Sequence, residues 1–220
     1  MKTKTNTQQM EKQPLNFIMR PVELADAVTL ADWYQQVEDI SIFDRQTPVP
    51  VNGTEVSKIV DTIIADQKSQ KCCWYIAQTD QGEPAGMCGL ELINPLHGNA
   101  ILPLFVAEPW RRTGLGIRMG CMMVDLAFKQ LRLHRVSTLY RADNTATEGL
   151  IERCGFRKEG ISRQAWYSNG TYHDIVNVGI IADEWETHRL KLADSLDHSV
   201  TLSLGPRPSG QWTWPPSSES

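Results

Sequence analysis

The chain has 220 residues, with 26 acidic side chains against 22 basic ones and a formal net charge of −4. That length is one domain with tails, or at most two small ones, and it can bury a real core without metal or disulfide support. An apolar content of 41% with 22% charged residues excludes a fully disordered, collagen-like or coiled-coil chain, and the mild acidity argues against a nucleic-acid partner.

The longest apolar run, Ala100–Ala107, is far short of the roughly 18 residues that a membrane helix needs, and Pro103 interrupts it. No membrane partner is therefore expected. Cys72, Cys73, Cys88, Cys121 and Cys154 are odd in number and lack metal-ligand spacing. They read as reduced thiols in a cytoplasmic protein with no metal.

In chain order, Met1–Asn16 is polar and reads as a disordered leader. Residues 17–184 carry the elements of one α/β domain. Phe17–Arg20 is a short strand. Leu24, Val28, Leu30, Ala31, Tyr34 and Val37 fall at helical spacing. Ser41–Asn52 holds two prolines and reads as a loop, and Thr54 as the cap of a second helix. Cys72–Gln78 and Ala85–Ile93 are strands, and Ala100–Ala107 is a central strand in which Pro103 demands a bulge or a missing ladder bond.

Leu115, Met119, Met122, Leu126 and Leu131 mark a further helix. Arg135–Tyr140 is a strand, and Thr145–Cys154 a short helix closed by Gly155. Ile161–Tyr167 and Tyr172–Ile181 flank Asn169-Gly170, a strong hairpin signal. Residues 185–220 read as a helix followed by a Pro- and Trp-rich extension, either flexible or an arm packing elsewhere. Closing a homodimer is one role for such an arm.

The key junction is Phe105-Val106-Ala107-Glu108-Pro109-Trp110-Arg111-Arg112-Thr113-Gly114-Leu115-Gly116, an apolar strand entering a glycine loop that opens a helix. A helix start offers unpaired N–H groups and partial positive charge, and the glycines let an anion approach the backbone. A plain strand-to-helix turn with solvated arginines is the other reading of the loop alone. A P-loop is excluded because no Lys follows Gly116.

Arg111-x-x-Gly114-x-Gly116 after a strand, then Asn144 at the end of the next strand and Gly155-Phe156 closing the following helix, resembles the GCN5-related N-acetyltransferase (GNAT) superfamily. Gly160, Gly170, Tyr172 and Asp174 resemble the branch of ribosomal-protein N-terminal and spermidine acetyltransferases. The resemblance implies a single domain with a mixed, mostly antiparallel sheet flanked by helices. It implies acetyl-CoA as co-substrate and direct transfer to a small-molecule or peptide N-terminal amine in a ternary complex.

By the same resemblance, the diphosphate would sit on Arg111, Arg112, Thr113, Gly114, Leu115 and Gly116. The pantetheine arm would run along Phe105 and Val106, with an oxyanion-holding N–H near Val106 and a hydrogen bond from Asn144. Asn144 is equally a helix cap. Many relatives place a Tyr where this chain has Ile151; the N-terminal branch uses a Ser at the position of Thr147, which makes Thr147 the candidate donor to the leaving thiolate. Glu91 is the candidate base acting through water, or else an outward-facing strand carboxylate, while Glu108 and His97 are weaker candidates. Asp39, Asp44, Tyr167 and Tyr172 are candidate amine-recognition residues, since acidic groups and rings suit a cation. Ile151 also leaves room for a second class, a CoA-binding sensor or scaffold with weakened catalysis.

Overall fold

In the computed structural model the described residues are 14–43, 50–206 and 212–216. Among them are ten strands and six α-helices. In chain order they are β1 (Leu15–Pro21), α1 (Ala27–Tyr34), α2 (Val37–Phe43), α3 (Gly53–Lys68), β2 (Cys73–Thr79), β3 (Pro84–Asn94), β4 (Asn99–Ile101) and β5 (Leu104–Val106). Then follow α4 (Leu115–Asp125), β6 (Arg135–Arg141), α5 (Thr145–Arg153), β7 (Arg157–Ser168), β8 (Thr171–Ile181), α6 (Ala182–Ser195), β9 (Val200–Leu204) and β10 (Thr213–Trp214).

The strands form one mixed sheet in the order β10-β9-β1-β2-β3-β4-β6-β8-β7, with β5 paired to β3 off that path. Only β1/β9 and β4/β6 are parallel; the other pairs are antiparallel, as the family resemblance implies. Two apolar layers cover the sheet. Val22, Trp33, Ile40, Ile76, Met87 and Phe105 pack under α1–α3. Leu90, Leu115, Met119, Ile151, Val178 and Trp185 pack on the other face, under α4–α6.

Three local expectations are corrected. The helical run from Leu24 to Val37 breaks into a 3-10 turn at Leu24–Asp26, α1 and α2; of the proposed stripe Leu30 and Tyr34 are buried and Ala31 packs beside them, whereas Leu24 and Val28 face solvent. The cap of α3 is Asn52 rather than Thr54: its side-chain oxygen accepts the Glu55 N–H at 3.0 Å. The α4 helix ends at Asp125, and Leu126–Gln130 continues as a π-helical turn.

Ala100–Ala107 is not one strand. It divides at Pro103 into β4, which pairs with β3 and β6, and β5, which pairs with β3. Proline has no N–H for the ladder, so the strand changes partners there. The Asn169-Gly170 hairpin forms as expected, with both residues at positive φ (50° and 78°).

The two ends of the chain meet. Leu15 and Asn16, read from sequence as leader, open β1, and β9 lies parallel to β1 from Leu15↔Val200 to Met19↔Leu204. Leu202 and Trp214 are fully buried in the α4–α6 layer of their own chain. Two polar residues of α4 hold this segment. Arg118 donates from Nε to the Val200 carbonyl at 2.7 Å and from its guanidinium to the Asp197 carbonyl. Asp125 has no exposed surface and accepts from Trp185 Nε1 (2.9 Å), Trp214 Nε1 (2.8 Å) and Arg189 Nε (2.8 Å).

Candidate active site

The splay between β5 and β6 makes the site. Leu102 donates to the Ser137 carbonyl at 2.8 Å, and Thr138 Oγ1 donates to the Leu102 carbonyl at 2.7 Å. These are the last links before Pro103, and β5 then stays with β3. Ala107 N–H to Ala85 O and Gly89 N–H to Pro103 O mark the narrow pairs of the β3/β5 ladder. Antiparallel alternation therefore turns the N–H groups of Leu104 and Val106 away from β3, into the gap. An extended amide chain can pair with that edge as an extra strand would.

The loop closing one end of the gap is built from a 3-10 turn at Glu108–Trp110, then Arg112 at φ 61° and Gly114 at φ 92°. Thr113 Oγ1 donates to the Trp110 carbonyl at 2.7 Å and accepts the Leu115 N–H at 3.3 Å. Among the described residues nothing accepts the N–H groups of Arg112, Thr113 or Gly114. With the positive end of α4 they form an anion cradle. A Cβ on Gly116 would stand 2.9 Å from Leu150 Cδ1 and 3.4 Å from Val106 Cγ2, so glycine there lets α4 approach β5 and α5. These groups fit a CoA diphosphate.

The candidate cofactor residues contribute unequally. The Phe105 ring turns to the opposite face, against Trp33 (5.2 Å) and Phe43 (5.5 Å), so only its backbone faces the cleft region. Leu115 is buried and its N–H is held by Thr113. Arg111 and Arg112 are exposed; Arg111 Nε bonds the Val106 carbonyl at 3.0 Å. Arg118, not singled out in the sequence, lies under the loop and donates from Nη1 to the Gly114 carbonyl at 2.8 Å.

Across the gap, Asn144 caps α5, its side-chain oxygen accepting the Thr147 N–H at 3.1 Å. Its amide NH2 keeps two donors for a ligand. Thr147 is half-buried in the first turn of α5. Ile151 is buried one turn on and has no proton to give. The Tyr140 hydroxyl donates to Glu148 at 3.4 Å; burial first, and then that carboxylate, raise its pKa.

On the α1–α3 face, Glu91 sits on β3 three residues past Cys88, the partner of Leu104. That is about 10 Å along the strand, so its carboxylate can serve a thioester there only through water. His97 is exposed in the β3–β4 turn. Asp39 lies on α2, and Asp44 lies outside the described residues. Tyr167 and Tyr172 pair across the hairpin with ring centroids 4.9 Å apart and stay well exposed. Their neighbours Trp166 and Ser168 turn to the other side and reach α2, Trp166 Nε1 donating to the Ser41 carbonyl at 2.8 Å. By strand alternation the tyrosines therefore face away from α2.

Beside Asn144 stands a group that sequence reasoning missed. Asp143 accepts two hydrogen bonds from Arg141, at 2.6 and 3.0 Å, and its carboxylate lies 3.4 Å from His173 Nδ1. The Arg141 guanidinium holds the Asp143 carboxyl below the usual range against a small desolvation penalty, and His173 adds to the effect. Asp143 and His173 are distant in sequence and meet only because β6 pairs with β8. No local spacing announces them. Cys121 and Cys154 are both fully buried; burial, and then the Cys154 neighbour, raise the Cys121 thiol, which marks it as a packing group.

An open strand edge beside a glycine cradle is an arrangement that can take a phosphorylated, amide-bearing carrier. A family model described as the acetyltransferase (GNAT) domain matches residues 16–157, and the chain belongs to that family. It is 32% identical over 163 residues to the SPbeta prophage-derived uncharacterized N-acetyltransferase YokL of Bacillus subtilis, covering 69% of this chain and 89% of that protein. Two other Bacillus subtilis relatives are matched over only 57% and 61% of their own length.

Among solved structures, spermidine N-acetyltransferase from Vibrio cholerae, in complex with CoA and spermine, is similar with a TM-score of 0.71. Its identity is 20%, over 77% of this chain and 98% of that one. Ribosomal-protein-S5-alanine acetyltransferase from Vibrio fischeri matches with a TM-score of 0.68 and 18% identity, over 76% and 93%. These likenesses show a shared fold.

Proposed function

We propose that this chain transfers the acetyl group of acetyl-CoA to a primary amine by direct attack in a ternary complex. The observation that carries the reading is the unpaired edge of β5 lying between the Arg112–Gly114 cradle and the capped start of α5. Acetyl-CoA supplies the activated acyl carbon. The cradle N–H groups and Arg111 and Arg112 hold the diphosphate. The Leu104 and Val106 N–H groups and the Asn144 amide orient the pantetheine arm, and one strand N–H stabilises the thioester oxygen.

In this reading Thr147, on the first turn of α5, donates a hydrogen bond to the departing sulfur. Thr147→Ala is expected to lower kcat by about 10-fold, with the KM for acetyl-CoA changed less than about twofold. Steady-state kinetics checks this, and an unchanged kcat removes Thr147 from the mechanism.

The acceptor class follows the names of the relatives: a polyamine or a protein N-terminus. These differ in chemistry. Deprotonating a lysine-like amine of pKa ~10.4 costs roughly 4–5 kcal/mol at pH 7, whereas an α-amino group costs about 1. Thioester consumption measured with a panel of both amine kinds tests the reading. Tight CoA binding with no turnover of any amine favours the second reading, a CoA-binding sensor, which Ile151 at the usual tyrosine position supports.

A further inference from the structure

We propose that His173 is the general base that takes a proton from the incoming amine, with Asp143 as its positioning residue. This rests on the acetyl-transfer reading above. β4 and β6 run parallel, with Ile101 opposite Ser137. Val106 therefore stands level with Ala142 across the splay, and Asp143 follows at the rim.

Side-chain alternation fixes the face. Tyr140 turns to α5, where it meets Glu148, so Arg141 turns to the α1–α3 face, and Asp143, in the turn after β6, is tied to Arg141 by its two hydrogen bonds. His173 joins them through its contact with Asp143 and stands opposite Trp166, which reaches α2. The Phe43 ring of α2 packs on Phe105 of β5. His173, Trp166, α2 and Phe105 thus ring the mouth of the cleft on one face. Asp143 engages Nδ1 and leaves Nε2 to face the acceptor. The Tyr167/Tyr172 pair lies on the other side of the hairpin and is not needed for this role.

The step balances. His173 Nε2 takes one proton from the ammonium. The freed lone pair forms the C–N bond, and the C–S bond breaks with its electron pair going to sulfur. The amine nitrogen gives up a second proton. Of these two protons one ends on the sulfur, beside Thr147, and one goes to solvent.

The test compares wild type with His173→Gln and Asp143→Asn. For a primary amine of pKa about 10.4, kcat/KM is expected to fall about 10²–10³-fold in His173→Gln, and for an α-amino acceptor no more than about 10-fold. CoA binding by calorimetry should stay within about twofold. Asp143→Asn should lower kcat/KM for the amine of pKa about 10.4 by about 10-fold while the α-amino acceptor changes less than about threefold, a split between amines that a merely structural role would not give. Equal rates for wild type and His173→Gln on both amines, or an Asp143→Asn loss that is the same for both amines, overturn the assignment. A wild type that acetylates neither amine overturns the acetyl-transfer reading along with it.

A separate observation carries a second inference. The geometry assigns Arg118 as a positioning residue that makes the C-terminal segment a brace for the diphosphate loop. One guanidinium bonds the Gly114 carbonyl in the loop and the Asp197 and Val200 carbonyls of the tail. The Vibrio cholerae structure is matched over 98% of its length by only 77% of this chain, so this chain carries residues beyond that shared fold.

Coupling of this kind is reciprocal. CoA added to the wild type should slow amide hydrogen exchange in residues 197–204, which lie outside the cradle. Arg118→Met should weaken CoA binding by about 10-fold while kcat at saturation changes less than about threefold, and Arg118→Lys should recover part of the affinity. Tail exchange that ignores bound CoA, or an Arg118→Met protein that binds CoA as wild type does, overturns the brace. A wild type that binds no CoA overturns the cofactor reading itself.

Discussion

Gly114→Asp is expected to raise the dissociation constant for CoA by at least about 100-fold. Two effects add. Gly114 has φ 92°, a conformation that costs an L-residue roughly 1–3 kcal/mol. A Cβ there would meet Arg118 Nη1 at 2.6 Å, displacing the group that holds the Gly114 carbonyl. The new carboxylate would also stand where the cradle receives a diphosphate, replacing attraction by repulsion. Gly114→Ala separates the two: it keeps the strain without the charge and should cost about 10-fold. Calorimetric titration with CoA measures both, and an aspartate variant binding within tenfold of wild type refutes the diphosphate assignment.

Asp125→Ala is expected to destabilise the fold by about 3–5 kcal/mol, because it strands the buried Arg189 cation and leaves the Trp185 and Trp214 N–H groups without an acceptor. For a chain of this size that is a fall in Tm of about 6–20 °C. Lys129, with its ammonium 3.6 Å away, adds a second cation that loses its partner. The comparison is Glu159→Gln, which removes the partly exposed Arg135–Glu159 pair and should cost no more than about 1 kcal/mol. Thermal unfolding of the full chain checks both, and an Asp125→Ala loss below about 1 kcal/mol would show that the tail does not depend on this hub.

These two sites differ in how far the sequence announces them. The Gly114 loop is contiguous: an apolar strand, a left-handed glycine and a helix start are all local properties. Asn144 and Gly155 are likewise local, a cap whose oxygen takes the Thr147 N–H and a residue at φ 85° that ends α5. The hub is not local. Asp125 reads as one acidic residue near the end of an apolar helix, and Trp214 as one aromatic in a proline-rich tail; neither implies the other.

The same distinction governs the cleft. Pro103 in an apolar run signals a broken ladder, but not that β5 leaves β6 while β4 keeps it. Asp143 and His173 carry no motif spacing, and only the β6/β8 pairing brings them to 3.4 Å. Asp39 and the tyrosine pair were reasonable choices by residue type, yet strand alternation turns Tyr167 away from the helix that Trp166 reaches.

By itself the sequence determined most of the order of elements, the glycine turn that opens α4 and the family, since each depends on dihedral preferences and hydrogen bonds made within a few residues. Tertiary structure alone decided where the sheet opens, that Asp143 meets His173, and that the Pro- and Trp-rich tail closes back on the first strand. Those outcomes depend on strand register and on the burial of polar groups with distant partners, and neither is encoded at fixed spacing along the chain.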